Sequence, residues 1–349
     1  MRKLTFFSVL VVLFLAACNE EAGAAEPEKN TEKDTEVVEK ETKEKVTVED
    51  EETVEDFEIF PLTGERTDEG TNGRILSVMV NNHPKARPQS GLSQADVVYE
   101  VLAEGQITRF LALFHSDIPD TIGPVRSARP YYFQIADGYD AVYTYHGAST
   151  AINHKVANSG IDYLDGALYD NNGWLFDRST DRIAPHNSYL LTEGLAKAME
   201  RKSYETTKEV EALPFADSEN SAGTPVDEVS ISYGAHTNVS FTYDQEGGHF
   251  LRSSDGEPTM DRSNDERVSV ENVWIIEADH RIIDNAGRRD IDLTSGGNGF
   301  LLQDGKMKEV QWKNVEGRLL PFKNNEPLAF TPGQTWVNII PGNAVVENE

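Results

Sequence analysis

The first half of the chain alternates between short apolar segments and polar loops. Strands are predicted at 74–80, 96–102, 107–115 and 141–145. Helices are predicted at 128–136, 150–158 and 188–201. The strands contain mostly β-branched and other apolar residues without strict alternation, which is typical of central strands buried on both faces. The last helix follows from Leu191, Leu195 and Met199, which are spaced four residues apart.

Beyond residue 225 the pattern changes to short strands separated by turn residues. Strands are predicted at 226–233, 239–243, 249–252, 272–277, 299–302, 306–312 and 335–340. Turns are predicted at Asp255-Gly256, Asp304-Gly305 and Pro332-Gly333. The fold class is therefore predicted to be α+β, with an α/β-like N-terminal part (mixed sheet and helices) and a mostly β C-terminal part.

The first 18 residues have the pattern of a lipoprotein signal peptide. Arg2 and Lys3 precede an apolar run at 5–15, which is about half of the roughly 20 residues that a membrane-spanning helix needs. The motif Leu15-Ala16-Ala17-Cys18 places small residues before a cysteine, as in a lipobox. We expect cleavage before Cys18, attachment of diacylglycerol to its sulfur and further acylation by a fatty acid such as palmitate. The alternative is an ordinary signal peptide with an incidental cysteine.

Residues 19–56 are predicted to form a disordered acidic spacer. The stretch 19–58 holds 17 acidic residues and five lysines and has no sustained apolar stripe. As a flexible chain, it would span roughly 35 Å. A tail that binds a basic partner is the alternative. The remaining chain is predicted to divide into an N-terminal α/β domain at 57–205, a connector at 206–225 and a β-rich C-terminal domain at 226–345.

Charge and cysteine content exclude several classes of function. The formal net charge of −28 over 349 residues repels nucleic acid and anionic lipid, so neither is an expected partner. Cys18 is the single cysteine, which excludes an internal disulfide. A cysteine-based metal cluster and a catalytic thiol are excluded as well, once Cys18 is assigned to lipidation.

Arginines are concentrated beside the predicted strand ends of the first half. Seven arginines but only two lysines lie between residues 74 and 190. Guanidinium is favoured over ammonium where a carboxylate or phosphate is bound by two hydrogen bonds, and α/β sheets bind ligands at strand ends. The candidate anion-binding residues are Arg87, Glu104, Arg109, Arg126, Arg129, His146, Arg178, Arg182 and His186.

An alternative for these arginines is internal pairing that only fixes loops. The carboxylates considered for that role are Glu104, Asp96, Asp177 and Asp181. A mixed outcome would make the Glu104–Arg109 pair structural and leave Arg126 and Arg129 facing a ligand.

His83, His146 and His186 lie in polar loops of the same kind. Histidine can act as a base or a metal ligand near neutral pH. No pair has helical metal-site spacing, and we predict no metal and no cofactor. His146 with Ser149, or His186 with Ser127, could form a nucleophile pair, but the chain has no Gly-x-Ser-x-Gly elbow. No catalytic residue is assigned.

Several motifs together resemble the YerB-like lipoproteins. They are Asn81-Asn82, Arg87-Pro88-Gln89-Ser90-Gly91-Leu92, Ala95-Asp96, Glu104-Gly105-x-Ile107-Thr108-Arg109, Gly123-Pro124-x-Arg126-Ser127-x-Arg129, Pro185-His186-Asn187 and Pro332-Gly333-Gln334-Thr335-Trp336. The resemblance covers about 57–345. It implies a two-part domain family of uncharacterised activity, found mainly in Gram-positive spore formers, on the outer face of the cytoplasmic membrane. It supplies no catalytic residues, and Gln106 stands where relatives often have a second glycine.

Three functional hypotheses follow. The favoured one is a membrane-anchored extracellular protein that binds a wall polymer or a wall-synthesis protein at an Arg/His-lined anion cleft, without turnover. The second is an envelope enzyme acting on a phosphate ester or pyrophosphate, with Arg126 and Arg129 holding the phosphate and Glu104 or His146 as base. The order of motifs in this chain is loosely similar to that in the LytR-CpsA-Psr enzymes. The third is a structural adaptor whose Arg–acid pairs only hold loops.

Overall fold

A computed structural model describes residues 57–216, 223–234 and 237–349. The predicted signal peptide, the lipidation site at Cys18 and the acidic spacer at 19–56 lie outside the described residues. Within the described ranges, no helix is long and apolar enough to cross a membrane.

Helices occur mainly between the strands of the first half, whereas the second half consists of strands. The strands of the first half are β1 (Glu58–Ile59), β2 (Arg66–Thr67), β3 (Leu76–Asn81), β4 (Val97–Leu102), β5 (Thr108–Phe114), β6 (Thr121–Ile122), β7 (Val142–Tyr145), β8 (Tyr163–Asp165), β9 (Phe176–Arg178) and β10 (Ser188–Leu191). The α-helices are α1 (Pro130–Gly138), α2 (Thr150–Ser159) and α3 (Leu195–Lys202). Short 3-10 turns occur at Pro84–Ala86 and Thr192–Gly194.

The strands of the second half follow one another with short turns. They are β11 (Thr224–Pro225), β12 (Glu228–Gly234), β13 (Thr237–Asp244), β14 (His249–Ser254), β15 (Glu257–Pro258), β16 (Ser269–Val270), β17 (Asn272–Glu277), β18 (His280–Ile282), β19 (Arg289–Ile291), β20 (Gly297–Gln303), β21 (Lys306–Val315), β22 (Arg318–Lys323), β23 (Glu326–Pro327), β24 (Thr335–Ile340) and β25 (Val345–Asn348). All seven strands predicted beyond residue 225 are present, although Lys306–Val315 is longer than the predicted 306–312, and the strands Arg318–Lys323 and Val345–Asn348 were not predicted.

A twelve-stranded mixed sheet contains strands from both halves. Its main path has the order β23-β22-β21-β20-β17-β24-β4-β5-β3-β7-β8, and β11 pairs with β21 outside that path. The halves meet at the parallel pair β24–β4, where Val97 lies opposite Thr335 and Val101 lies opposite Ile339. Strand β4 is therefore central in the sheet, which explains its almost continuous apolar sequence.

Apolar residues cover both faces of this central sheet. On β4, Val97, Tyr99 and Val101 belong to one buried cluster, and Val98 and Leu102 belong to the other. This division follows from the alternation of side chains along a strand. Helix α1 packs into the first cluster. A second sheet, with the order β15-β14-β13-β12-β25 and with β16 on β14, closes the second cluster.

One acid interrupts the apolar sequence of β4. Glu100 is fully buried, and its Oε2 accepts hydrogen bonds from Arg252 of β14 at 2.8 Å and from the indole of Trp336 at 3.0 Å. The equally buried Arg252 guanidinium lies 5.2 Å from the ring centroid of Phe110 and 4.5 Å from that of Trp336. Buried charges are tolerated only when they are paired. This ion pair therefore fixes the second sheet against the central one.

The structure confirms the α+β class, with strands prevailing over helices. The predicted strands at 272–277 and 335–340 agree with β17 and β24 in both bounds. The helix predicted over 188–201 is wrong in its first half, because Ser188–Leu191 is a strand that pairs with β9 and β6. Strand pairing buries this segment, so tertiary contacts override its helical spacing. Helix α3 begins only at Leu195.

The two halves of the described chain also meet outside the central sheet. Within the predicted connector, Leu213 is buried and Phe215 forms a β-bridge with Phe330. The main chains approach each other at Gly138 and Gly317 so closely that a Cβ at either position would collide with the other residue. The connector therefore packs against folded structure, while the proposed domain bounds at 205 and 226 stay a prediction.

We expect Arg252→Met to lower the free energy of unfolding by roughly 3–5 kcal/mol, because it leaves Glu100 buried without its cation. Arg281→Met is the matched control, since Arg281 forms an exposed pair with Asp290 and its loss should cost less than about 1 kcal/mol. Urea denaturation of both variants measures the difference. Equal losses in the two variants would show that the buried pair has no special role.

Candidate functional site

Several strands of the first half end at one edge of the central sheet. Strands β3, β7 and β8 are parallel, and β3 and β4 both run antiparallel to β5. Asn81 at the end of β3 lies opposite Arg109 at the start of β5, and Arg109 also lies opposite Val101 of β4. His146 directly follows β7. This edge holds the carboxyl ends of parallel strands, where α/β sheets bind ligands.

A segment around Arg126 is inserted between β3 and β7 at this edge. The Arg126 amide donates to the Met79 carbonyl at 2.8 Å, and the Arg126 carbonyl accepts from the His146 amide at 2.9 Å. Strands β3 and β7 pair directly up to Val78 and Thr144 and then separate around this segment. The main chain of Arg126 is thus held on both sides.

The guanidinium of Arg126 makes no hydrogen bond and no ion pair with any residue that the structure describes. Its side chain is partly buried, and burial lowers its pKa to about 10, with a further contribution from the positive charges of Arg109 and Arg129. The group is still protonated at neutral pH. A charge partly removed from water without a partner is unfavourable, so an anion bound here would supply the missing interaction.

One carboxylate is shared by the two neighbouring arginines. Glu104 accepts from Arg109 Nη2 at 2.7 Å and from Arg129 Nε at 2.5 Å. Burial alone would raise the Glu104 pKa, but the two guanidiniums outweigh it and lower the pKa. The expected Glu104–Arg109 pair is therefore present, and Arg129 shares the same carboxylate. Together with Arg126, three guanidiniums face one carboxylate, which leaves the cluster positively charged.

His83 and His186 lie against each other beside this cluster. Their ring centroids are 4.5 Å apart, and His186 Nδ1 is 2.9 Å from the side-chain amide of Asn81. His186 thus contacts Asn81 rather than Ser127, the partner considered from the sequence. Burial lowers the pKa of both histidines, and the positive charge of Arg126 lowers each further. Both rings are therefore neutral at pH 7.

His146 is held from two sides. Its Nδ1 lies 2.8 Å from Ser188 Oγ, and its Nε2 lies 3.4 Å from Arg178 Nη2. Its hydrogen-bond partner is thus Ser188 instead of Ser149. Ser188 is 2% exposed, so its hydroxyl is closed off from a ligand. Burial again lowers the histidine pKa, and Arg178 and Arg126 add to that effect.

The remaining candidate arginines are bound by the protein itself. Arg87 Nη1 pairs with Asp255 Oδ2 at 2.6 Å. Arg178 contacts both carboxylate oxygens of Asp170, at 2.7 and 3.0 Å. Arg182 donates to two main-chain carbonyls of the 86–88 segment, each at 2.8 Å. These contacts fix loops around the cluster. The carboxylates that hold Arg87 and Arg178 are not Asp96, Asp177 or Asp181.

The sequence interpretation missed the network that supports this edge. Glu100 Oε1 accepts from Thr108 Oγ1 at 2.7 Å and from Asn82 Nδ2 at 3.4 Å. The Asn82 Oδ1 in turn accepts from Arg87 Nε at 3.0 Å. A chain of hydrogen bonds thus connects the centre of the sheet with the loop at 82–89. The available indication was an acid inside an otherwise apolar strand, which requires a buried partner.

Comparison with known proteins identifies the family. Residues 62–205 match the family model described as "Protein of unknown function (DUF3048) N-terminal domain", and residues 229–337 match the corresponding C-terminal domain. The chain is 46% identical over 285 residues to "Putative lipoprotein YerB" of Bacillus subtilis (strain 168), which covers 80% of this chain and 86% of the relative. This chain belongs to the YerB-like DUF3048 family.

A solved structure of the YerB-like family has the same fold. The crystal structure of the YerB protein from Bacillus subtilis superposes with a TM-score of 0.77 at 44% sequence identity, covering 83% of this chain and 99% of that chain. The resemblance inferred from the motifs is therefore confirmed. The family descriptions name a lipoprotein and an unknown function, so a proposal about activity depends on the geometry of the site.

We expect the imidazole pKa values of His83, His146 and His186 to lie below their ordinary value of 6.5. All three should rise in Arg126→Gln, because that variant removes a positive charge near each ring. His280 is the internal control, since burial lowers its pKa to about 4 without a contribution from Arg126. NMR titration of the imidazole protons measures all four values. Unchanged values in the variant would show that Arg126 is not central to this cluster.

Proposed function

We propose that this chain is a lipoprotein anchored through acylated Cys18 to the outer face of the cytoplasmic membrane, where it binds an anionic envelope component without turnover. The binding site is the Arg126 site, which consists of Arg126, Arg109, Arg129, Glu104, His83, His146 and His186. The bound group is a phosphate or carboxylate of a wall polymer or of a wall-synthesis protein. The lipobox sequence and the lipoprotein name of the relative support the anchor.

The unpaired guanidinium of Arg126 is the observation that carries the proposal. It lies at the carboxyl ends of parallel strands, where α/β sheets commonly bind ligands, in a positively charged cluster of a chain whose net charge is −28. An anion would therefore be attracted locally and not by the general field of the protein. Neutral histidines beside it can donate or accept hydrogen bonds without repelling the ligand.

The pKa of Glu104 and the hydrogen bond of His146 favour binding over catalysis. Glu104 has a lowered pKa and is held by two guanidiniums, which makes it a weak base. His146 is bonded to the buried Ser188. Neither group combines a raised proton affinity with an open approach to Arg126, as a general base at neutral pH requires.

We expect Arg126→Gln to weaken binding of a fluorescent oligo(glycerol phosphate) by roughly 10- to 100-fold, because a hydrogen bond to a charged group is lost. Arg126→Lys should retain part of the affinity, since the charge stays while the planar donor pair is lost. Arg281→Gln, an exposed arginine elsewhere, is the matched control. Fluorescence anisotropy with residues 55–349 measures these affinities. This compact unit has about the extent that crystallised in the relative.

Glu104→Gln should have the opposite effect and strengthen binding several-fold, because it frees the charges of Arg109 and Arg129. Thermal unfolding of each variant verifies that the fold is retained. Release of inorganic phosphate is followed in the same reactions. Turnover by the unsubstituted protein that disappears in Arg126→Gln but persists in Arg281→Gln would contradict the binding proposal and favour the enzyme.

A further inference from the structure

A groove of about 510 Å³ lies beside the loop at 82–89. Its other wall comes from residues 254–260 of the second half. The apolar side chains along it are Pro84, Pro88, Pro258 and Met260. Its volume falls within the range of small-molecule pockets, roughly 300–1,000 Å³. Of the candidate anion-binding residues, Arg87 lines this groove and the others do not.

The loop that forms one wall of the groove also borders the Arg126 site. Pro84 lines the groove, and the preceding residue, His83, packs on His186 of the anion site. The pKa of His83 is lowered by burial and by the charges of Lys85, Arg126 and Arg87. Guanidiniums from both the groove and the anion site therefore act on one ring.

Hydrogen bonds hold the loop at 82–89, which lies between the two sites, in place. Asn82, the residue before His83, takes part in the hydrogen-bond network of Glu100, and Arg182 donates to the Ala86 and Pro88 carbonyls at 2.8 Å. The apolar wall and the cationic cluster thus have a fixed spacing. A ligand with an apolar part and an anionic part could use both without rearranging the loop.

We propose that the envelope component bound at the Arg126 site is the lipid-linked form of a wall polymer, whose phosphate binds Arg126 and whose apolar chain lies in the groove between loop 82–89 and residues 254–260. This inference rests on the proposed function, since it uses the same anion site. A wholly polar polymer would leave the apolar groove in water, and a neutral apolar molecule would leave Arg126 without a partner. An amphiphilic anion is complementary to both.

The test is a series of alkyl phosphates that differ only in chain length. Ethyl, butyl and octyl phosphate, below their micellar concentrations, are titrated into residues 55–349 by calorimetry. We expect octyl phosphate to bind at least about 30-fold more tightly than ethyl phosphate, because burial of only two or three of its additional methylenes, at roughly fourfold each, gives that factor. Octyl glucoside, which has the same chain without charge, should bind far more weakly than octyl phosphate.

Two variants separate the contributions of chain and phosphate. Met260→Gln should reduce the dependence on chain length while leaving the affinity for ethyl phosphate unchanged, and Met260→Leu should preserve that dependence. Met260 is partly exposed, so both variants are expected to fold, which thermal unfolding checks. Arg126→Gln should weaken all three phosphates by a similar factor.

Each contrary result has a distinct meaning. If ethyl and octyl phosphate bind equally, the lipid inference fails while the anion site stands. A chain-length dependence that is the same in Met260→Gln as in the unsubstituted protein, or octyl glucoside binding as tightly as octyl phosphate, overturns it too. If neither the alkyl phosphates nor oligo(glycerol phosphate) bind, the proposed function itself fails.

Discussion

The buried ion pair between Glu100 and Arg252 is the interaction on which the rest of this structure depends. It connects the central strand of the large sheet with a strand of the smaller sheet that follows it 152 residues later. The same carboxylate accepts hydrogen bonds from Thr108 and Asn82, and so it also anchors the loop that borders the cationic cluster. Because a buried charge without its partner is strongly destabilising, the packing of the sheets and the shape of the candidate site are coupled.

Most of the arginines at this sheet edge have an acidic partner within the protein. Arg87 and Arg178 each have an acidic partner, and Arg109 and Arg129 share Glu104. Arg126 is left over in the middle. Arginines at such an edge can therefore serve two purposes at once. Those with partners hold the loops in place, and in the proposed function the remaining guanidinium would bind the anion.

Local sequence patterns were sufficient for the neighbouring strands from β21 to β7 of the central sheet and for the fold class, because continuous apolar runs such as 110–114 specify a buried strand without reference to partners. They failed at 188–191, where pairing with β9 and β6 decides between helix and strand. The motifs also indicated the family and the edge at which the cationic residues gather. The motifs could not show which carboxylate pairs with each arginine. The carboxylate that holds Arg87 lies 168 residues away, whereas the Glu104–Arg109 pair, five residues apart, was within reach of sequence reasoning.

The fixed main chain on both sides of Arg126 has a consequence for selectivity. Ordering a backbone residue costs roughly 1–2 kcal/mol, and here folding has already ordered it through the hydrogen bonds to Met79 and His146. Association with an anion would need to restrict only the torsions of the arginine side chain. A fixed main chain with a free side chain would allow Arg126 to reach anions of different size by changing rotamer. Selectivity among anions would then have to come from the residues around the guanidinium.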